Sequence, residues 1–148
     1  MKYLCLVYYD EAVMEQMSPD AWLALNYECV AYGEDIAASG HRLGGSALEP
    51  TRTAVTVRVR DGQTTVTDGP FAETREQLAG FYLLDARDID DAVQAASRIP
   101  PARYGSIEIR PVRELPVPPD KPQVQGARYA NGSRTSSDSN FRKSRSFE

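Results

Sequence analysis

Histidine is almost missing from this chain. Among its 148 residues there is one, His41, with two cysteines, Cys5 and Cys29. A structural zinc site takes about four nitrogen or sulfur ligands; one imidazole and two thiols far apart in sequence do not supply them, so no metal site is expected. The cysteines form no C-x-x-C and each sits among apolar residues, which reads as two buried free thiols. No P-loop, G-x-G-x-x-G, G-x-S-x-G or H-E-x-x-H occurs. Nucleotide, serine-hydrolase and zincin readings therefore have no support, and no cofactor is implied. No apolar run approaches the roughly 20 residues of a membrane span. The first ten residues hold a single lysine and no small-residue cleavage site, so they read as a strand, not a signal peptide, and a cytoplasmic location is expected. Basic residues are scarce in the body: residues 1–115 hold 11 Lys and Arg against 18 Asp and Glu, whereas 116–148 hold 6 against 3. An acidic body lacks the clustered cations that a nucleic-acid partner requires.

What is present is the pattern of one α+β domain over 1–115. Residues 2–9 are apolar almost throughout, as in a central strand buried on both faces. Residues 10–17 read as a loop. Ser18, Pro19 and Asp20 are an N-cap, a first helical residue and a first-turn acid. Trp22, Leu25, Cys29, Tyr32 and Ile36 then repeat at helical spacing, and Ser39-Gly40 ends the helix. A strand over 41–48, kinked at Gly44-Gly45, is followed by alternating Val55, Val57 and Val59, which predict a half-buried strand. Asp61-Gly62 is a hairpin turn, and 63–67 return antiparallel. After a loop comes a strand over 79–85. A helix capped by Asp88 follows, with Ile89, Ala92, Val93, Ala96 and Ile99 as its apolar face. A last strand runs over 106–112, its proline placing that end at an edge. The order β, α, β, hairpin, β, α, β predicts a ferredoxin-like antiparallel sheet with two helices on one face and an extra β-hairpin. The other face, with Tyr3 or Leu4 and alternate residues of 79–85 and 107–112, is left apolar, so a homodimer through the open sheet face is expected. Residues 116–148, rich in Pro, Gly, Ser and Asn with only Phe141 and Phe147 as large apolar anchors, read as a disordered tail.

The most distinctive stretch is Asp68-Gly69-Pro70-Phe71-Ala72-Glu73-Thr74-Arg75-Glu76. Asp-Gly-Pro is strong turn chemistry. Asp68 has two readings: a turn-closing side chain, or a carboxylate aimed into a cleft, where burial would raise its pKa and make it an acid or base. Phe71 reads as a wall or lid of that cleft or as loop packing. Glu73 reads as a second carboxylate or a solvated charge, and Arg75 as an anion-binding group or a surface ion-pair member. Tyr8, Tyr27 and Tyr82 offer hydroxyls to a ligand if they are not simply core. His41 reads as a strand-end residue.

These residues resemble a known family. Met1-Lys2-Tyr3, Gly44-Gly45 with Leu48 and Pro50, Val57 to Gly62, the Asp68 stretch, Gln77 to Tyr82 and Ile107 to Val112 look like the DGPF-domain, YCII-related proteins, over residues 1–115 in order. The resemblance implies a dimeric α+β barrel with a ligand cleft beside the DGPF loop. It also implies kinship with muconolactone-type isomerases and dehalogenases. Together with the Asp68 loop beside an apolar cleft, this leads us to expect small-molecule binding and a weak lyase- or isomerase-like activity, with Asp68 as acid–base and Phe71, Glu73, Arg75, Tyr82 and Tyr27 as ligand-binding residues. A histidine–aspartate pair has been proposed as catalytic in such proteins. Here the only histidine lies past the first helix, and Tyr27 or Glu28 stands nearer the expected position. The resemblance further implies an alternative, a non-enzymatic accessory protein acting with an extracytoplasmic-function sigma factor.

Overall fold

A computed structural model of the chain describes residues 1–116. Met1–Arg113 form a compact unit of their own, and the fold is that of this unit. Strand β1 spans Lys2–Tyr9 and is followed by a four-residue helix α1, Glu11–Met14. The sequence read this segment as loop. Asp10 makes it helical by accepting hydrogen bonds from the Ala12 and Val13 backbone N–H groups, which relieves two of the donors that a helix start leaves bare. Helix α2, Pro19–Ala38, starts where Ser18 caps Ala21 N–H. It ends in a Schellman motif: Gly40 is left-handed at φ 79°, and His41 N–H reaches back to Ile36 O at 3.0 Å.

Strands β2 (Arg42–Ala47), β5 (Gln77–Asp85) and β6 (Gly105–Pro111) complete one antiparallel sheet in the order β2-β5-β1-β6, and α3 (Ile89–Ala96) follows β5. This is the ferredoxin-like arrangement, with Pro111 on an edge strand as its chemistry requires. The hairpin of β3 (Val55–Arg60) and β4 (Gln63–Asp68) forms a separate two-stranded sheet. Among the described residues no helix is long and apolar enough to cross a membrane. The tail expected over 116–148 falls, from residue 117, outside the described residues.

Both helices lie on one face. Cys5 and Val7 of β1 and Leu84 of β5 form a core with Tyr32 and Ile36 of α2, Ala95 and Ala96 of α3, and Ile99 beyond it. Tyr3, Cys5 and Val7 are buried while Leu4, Leu6 and Tyr8 are half-exposed, so among the described residues β1 is covered on one face and not on two. At the β1–β6 edge the backbones run so close that a Cβ at Gly105 would strike Tyr8 O. The valine row of β3 departs from expectation. Val55, Val57 and Val59 are all exposed, and the turned-in residue is Thr56, whose hydroxyl donates to Gly69 O at 2.9 Å. Alternation marks a strand with one apolar face; here the hairpin has left the main sheet and the described residues place nothing over that face. In α3 the buried side is Ala92, Ala95 and Ala96, and Ile89 and Val93 lie outside it.

The far end of α2 is clasped to the start of α3. Tyr32 OH donates to Ala95 O at 2.9 Å, and burial pushes its pKa up to about 12. His41 Nε2 lies 3.4 Å from Asp91 Oδ2, and its Nδ1 lies 2.9 Å from Ser39 Oγ. Ser39 Oγ also donates to Ile36 O at 3.0 Å, which ties the His41 side chain to the end of α2. Arg87 holds Asp91 from the other side, through its backbone N–H at 3.0 Å and its guanidinium at 3.2 Å. The Arg87 side-chain hydrogen bonds, then its backbone N–H, hold the Asp91 carboxyl far below the usual carboxylate range, and His41 adds to them.

A group depressed in this way stabilises the fold fully above its unfolded pKa of about 3.9 and loses that contribution as pH falls toward the lower folded value. Asp91→Asn is expected to lower Tm at neutral pH and to fall less steeply than wild type below about pH 4. Thermal melts followed by circular dichroism across the acid range check this; parallel slopes for the two proteins would refute the assignment.

Candidate functional site

The buried spacing of α2 holds at Leu25, Tyr32 and Ile36 but not at Trp22 and Cys29. Tyr32 and Ile36 sink into the core, whereas Cys29 is half-buried and Trp22 is 40% exposed. Under the first half of α2 the sheet carries almost no side chains. A Cβ on Gly45 would lie 2.8 Å from Phe81 O, and one on Gly80 would lie 2.9 Å from Ser46 O. The β2 and β5 backbones are therefore too close there for either position to bear a side chain. Ala47 and Ala79 extend the same bare floor, and a bulge in β5 opposite Val7 and Tyr8 frees Ala79 O to bind Leu48 N–H at 2.8 Å.

The result is a groove of about 470 Å³ between α2 and the β2 edge, walled by Trp22, Leu25, Cys29, Tyr9 and Tyr82. It runs into a second cleft of about 610 Å³ that shares Tyr9, Trp22, Leu48 and Ala79 and adds Met14, Met17 and Pro50. Pockets of this size, mainly apolar with a few convergent polar groups, are the usual form of small-ligand sites. Two of the acidic groups lining the second cleft are engaged: Glu11 accepts from Thr51 N–H and Oγ1 at 2.8 and 2.7 Å, and Glu15 pairs with Arg52 at 2.7 Å.

Three of the groove's lining groups, Tyr9, Cys29 and Tyr82, are pushed toward their neutral forms. Burial raises the pKa of Tyr9, with Glu11 adding to it. Burial likewise raises Cys29, with Glu28 adding and Arg103 opposing. Burial also raises Tyr82, with Cys29 adding and Arg42 opposing. Tyr82 is further fixed edge-to-face on Tyr32, centroids 5.5 Å apart. A thiol held neutral is a poor nucleophile. What the walls present is a set of hydroxyl and thiol donors beside one guanidinium, Arg42, and one exposed carboxylate, Glu34.

Of the residues singled out from sequence, Tyr82 alone lines this groove. Tyr27 lies on the outer side of α2, 68% exposed. Asp68 ends β4 opposite Val55, exposed on the hairpin. Phe71 is 75% exposed, with the Arg58 guanidinium 5.2 Å from its ring centroid. Glu73 is exposed, and Arg75 lines a small surface cleft with Asp10, Val13 and Glu76. The single chain does not gather these residues into one site. Tyr8 lies half-exposed on the open face of the sheet, and His41 is the clasp residue described above. Trp22, Cys29, Gly33 and Arg42 were not read as ligand residues. Gly33 carried a signal, since a glycine inside a helical pattern asks for a reason.

The model of the YCII-related domain matches residues 1–116. The chain belongs to the YCII-related family. A relative within it, an uncharacterized protein of Rhizobium meliloti (strain 1021), is 40% identical over 115 residues, covering 76% of this chain and 92% of that protein. For this YCII-related protein the family accounts for the described domain, and the groove is the feature from which a ligand must be argued.

The thiols give a check on the groove. In the native protein at neutral pH, iodoacetamide is expected to modify Cys29 slowly and Cys5 not at all, because Cys5 is fully buried with a pKa pushed up to about 11. The Cys29 rate should climb as pH is raised beyond the ordinary thiol pKa of about 8.5. Peptide mapping by mass spectrometry follows both. Labelling of Cys29 at neutral pH as fast as that of free cysteine would contradict the described burial.

Proposed function

We propose that this YCII-related protein binds a small, mainly apolar molecule in the groove between α2 and β2. Gly33 carries the reading. It is buried in the middle of α2, and a Cβ built on it would have no neighbour closer than Arg42 Cζ at 4.0 Å. Glycine there costs a helix roughly 0.5–1 kcal/mol relative to alanine, and no packing among the described residues requires it. The space it leaves belongs to the groove. A ligand that approaches the helix backbone closely accounts for that choice.

Trp22 is the chain's single tryptophan and lines both clefts, so it reports occupancy directly. Phenylnaphthylamine, a neutral apolar fluorophore, is expected to quench Trp22 emission by energy transfer in the wild type. Gly33→Leu should abolish that transfer while Tm stays the same or rises, since leucine is the better helix former. Undiminished transfer in Gly33→Leu would place the probe elsewhere and sink the reading.

A second copy of the chain is proposed to cover the open face of the sheet. Leu4 opposes Leu83 and Leu6 opposes Phe81 across the β1–β5 ladder. All four are half-exposed on the face that the helices do not cover. A contiguous row of this kind is characteristic of an interface. Sedimentation equilibrium at micromolar concentration is expected to give a dimer and, for Phe81→Glu, a monomer; a monomeric wild type would contradict it. Asp68 as acid–base and an accessory role beside a sigma factor gain nothing from the single chain. The basic tail on which the second idea leans lies, from residue 117, outside the described residues.

A further inference from the structure

The groove has a charge that no side chain among the described residues answers. Arg87, Arg98 and Arg103 flank the helical layer, and each is held by a carboxylate: Asp91 at 3.2 Å, Asp35 at 3.1 Å and Glu28 at 2.6 Å. Arg42, the first residue of β2, lines the groove without a hydrogen bond or ion pair among the described residues. Its guanidinium reaches toward α2 at Gly33 and its field acts on Tyr82. The lining holds one carboxylate, Glu34, which is exposed and makes no ion pair with Arg42. A guanidinium is planar and matches a carboxylate or sulfonate with two parallel hydrogen bonds. Beyond Arg42 the groove offers hydroxyl and thiol donors at Tyr82, Cys29 and Tyr9, then an apolar run past Trp22 and Leu25.

Resting on the groove reading above, we propose that the ligand is an organic monoanion, a carboxylate with an apolar ring or chain, whose head is taken by Arg42 and whose body lies along Trp22. The charge sits at one end of the groove and the bare glycine floor beneath the rest, so the arrangement orients the molecule as well as holding it. Free inorganic anions, which have no apolar body, gain little from such a site.

The test uses two probes of similar shape, followed through energy transfer from Trp22 in the full-length protein: neutral phenylnaphthylamine and the anionic anilinonaphthalene sulfonate. Arg42→Gln is expected to weaken the sulfonate about five- to tenfold and to leave the neutral probe within about twofold. Arg42→Lys should restore part of the sulfonate affinity by keeping the charge, and added salt should weaken the sulfonate alone. Equal losses for both probes in Arg42→Gln would make Arg42 a wall, and no loss for either would make it a bystander; each result overturns the proposal while the groove reading stands. Failure of the neutral probe to reach Trp22 in wild type overturns the groove reading and this inference with it. The Arg42 side chain is exposed and its strand pairs with Leu84 through backbone, so these variants leave the fold intact, and an unchanged Tm confirms that.

Discussion

One row of side chains, Tyr3, Cys5 and Val7, determines where the rest of this molecule goes. Because side chains alternate across a strand, burying that row fixes the register of β1 and sends Leu4, Leu6 and Tyr8 to the opposite face. The antiparallel ladders carry the choice to the neighbours: Cys5 faces Tyr82 and Ile109, and Leu4 faces Leu83 and Arg110. Helices α2 and α3 then have a single apolar surface on which to settle. Slipping β1 by one residue would trade the two faces, placing Leu4 and Leu6 under the helices and the buried Cys5 outside.

The two helices meet that surface differently, and the groove comes from the difference. Helix α3 is short and presents alanines, Ala92, Ala95 and Ala96, each nearly inaccessible, so it sits close. Helix α2 is long. Its second half is anchored by Ile36 and by the Tyr32 hydroxyl on Ala95 O. Its first half passes over a floor of Gly45, Ala47, Ala79 and Gly80, where bulk is forbidden by the close approach of β2 and β5. Small residues on both partners let elements collapse together. Small residues on the floor alone, beneath Trp22 and Leu25 and beside Tyr9 and Tyr82, leave a hollow.

Much of this architecture is legible in the order of residues. Ser18-Pro19 starts the long helix, Gly40 stops it, Asp61-Gly62 turns the hairpin, and the helical and alternating periods give the ferredoxin-like order. Three features were not legible, for related reasons. The valine alternation of β3 identifies a face but not what covers it, and the hairpin turned its threonine side inward instead. The helical spacing from Trp22 to Ile36 marks one stripe, yet only Leu25, Tyr32 and Ile36 on it are deeply buried, because the floor beneath is set by strands distant in sequence. The clasp of His41 on Asp91 joins residues 50 apart, and Arg87, which governs it, reads alone as an ordinary surface charge.

The groove's chemistry follows a division between residues that the fold needs and residues that it does not. Gly45, Gly80, Tyr32 and Leu84 are fixed by packing, and altering them disturbs the sheet before it disturbs a ligand. Gly33 and Arg42 are different: one has room for a Cβ it lacks, and the other holds an exposed charge without a counter-ion among the described residues. Gly33 also weakens the helix relative to alanine. The Arg42 guanidinium lies against the helix at Gly33, and both residues line the groove. The proposed ligand is apolar along Trp22 and negatively charged at Arg42. With Tyr9, Cys29 and Tyr82 all held toward their neutral forms, these three side chains stand as hydrogen-bond donors toward such a molecule.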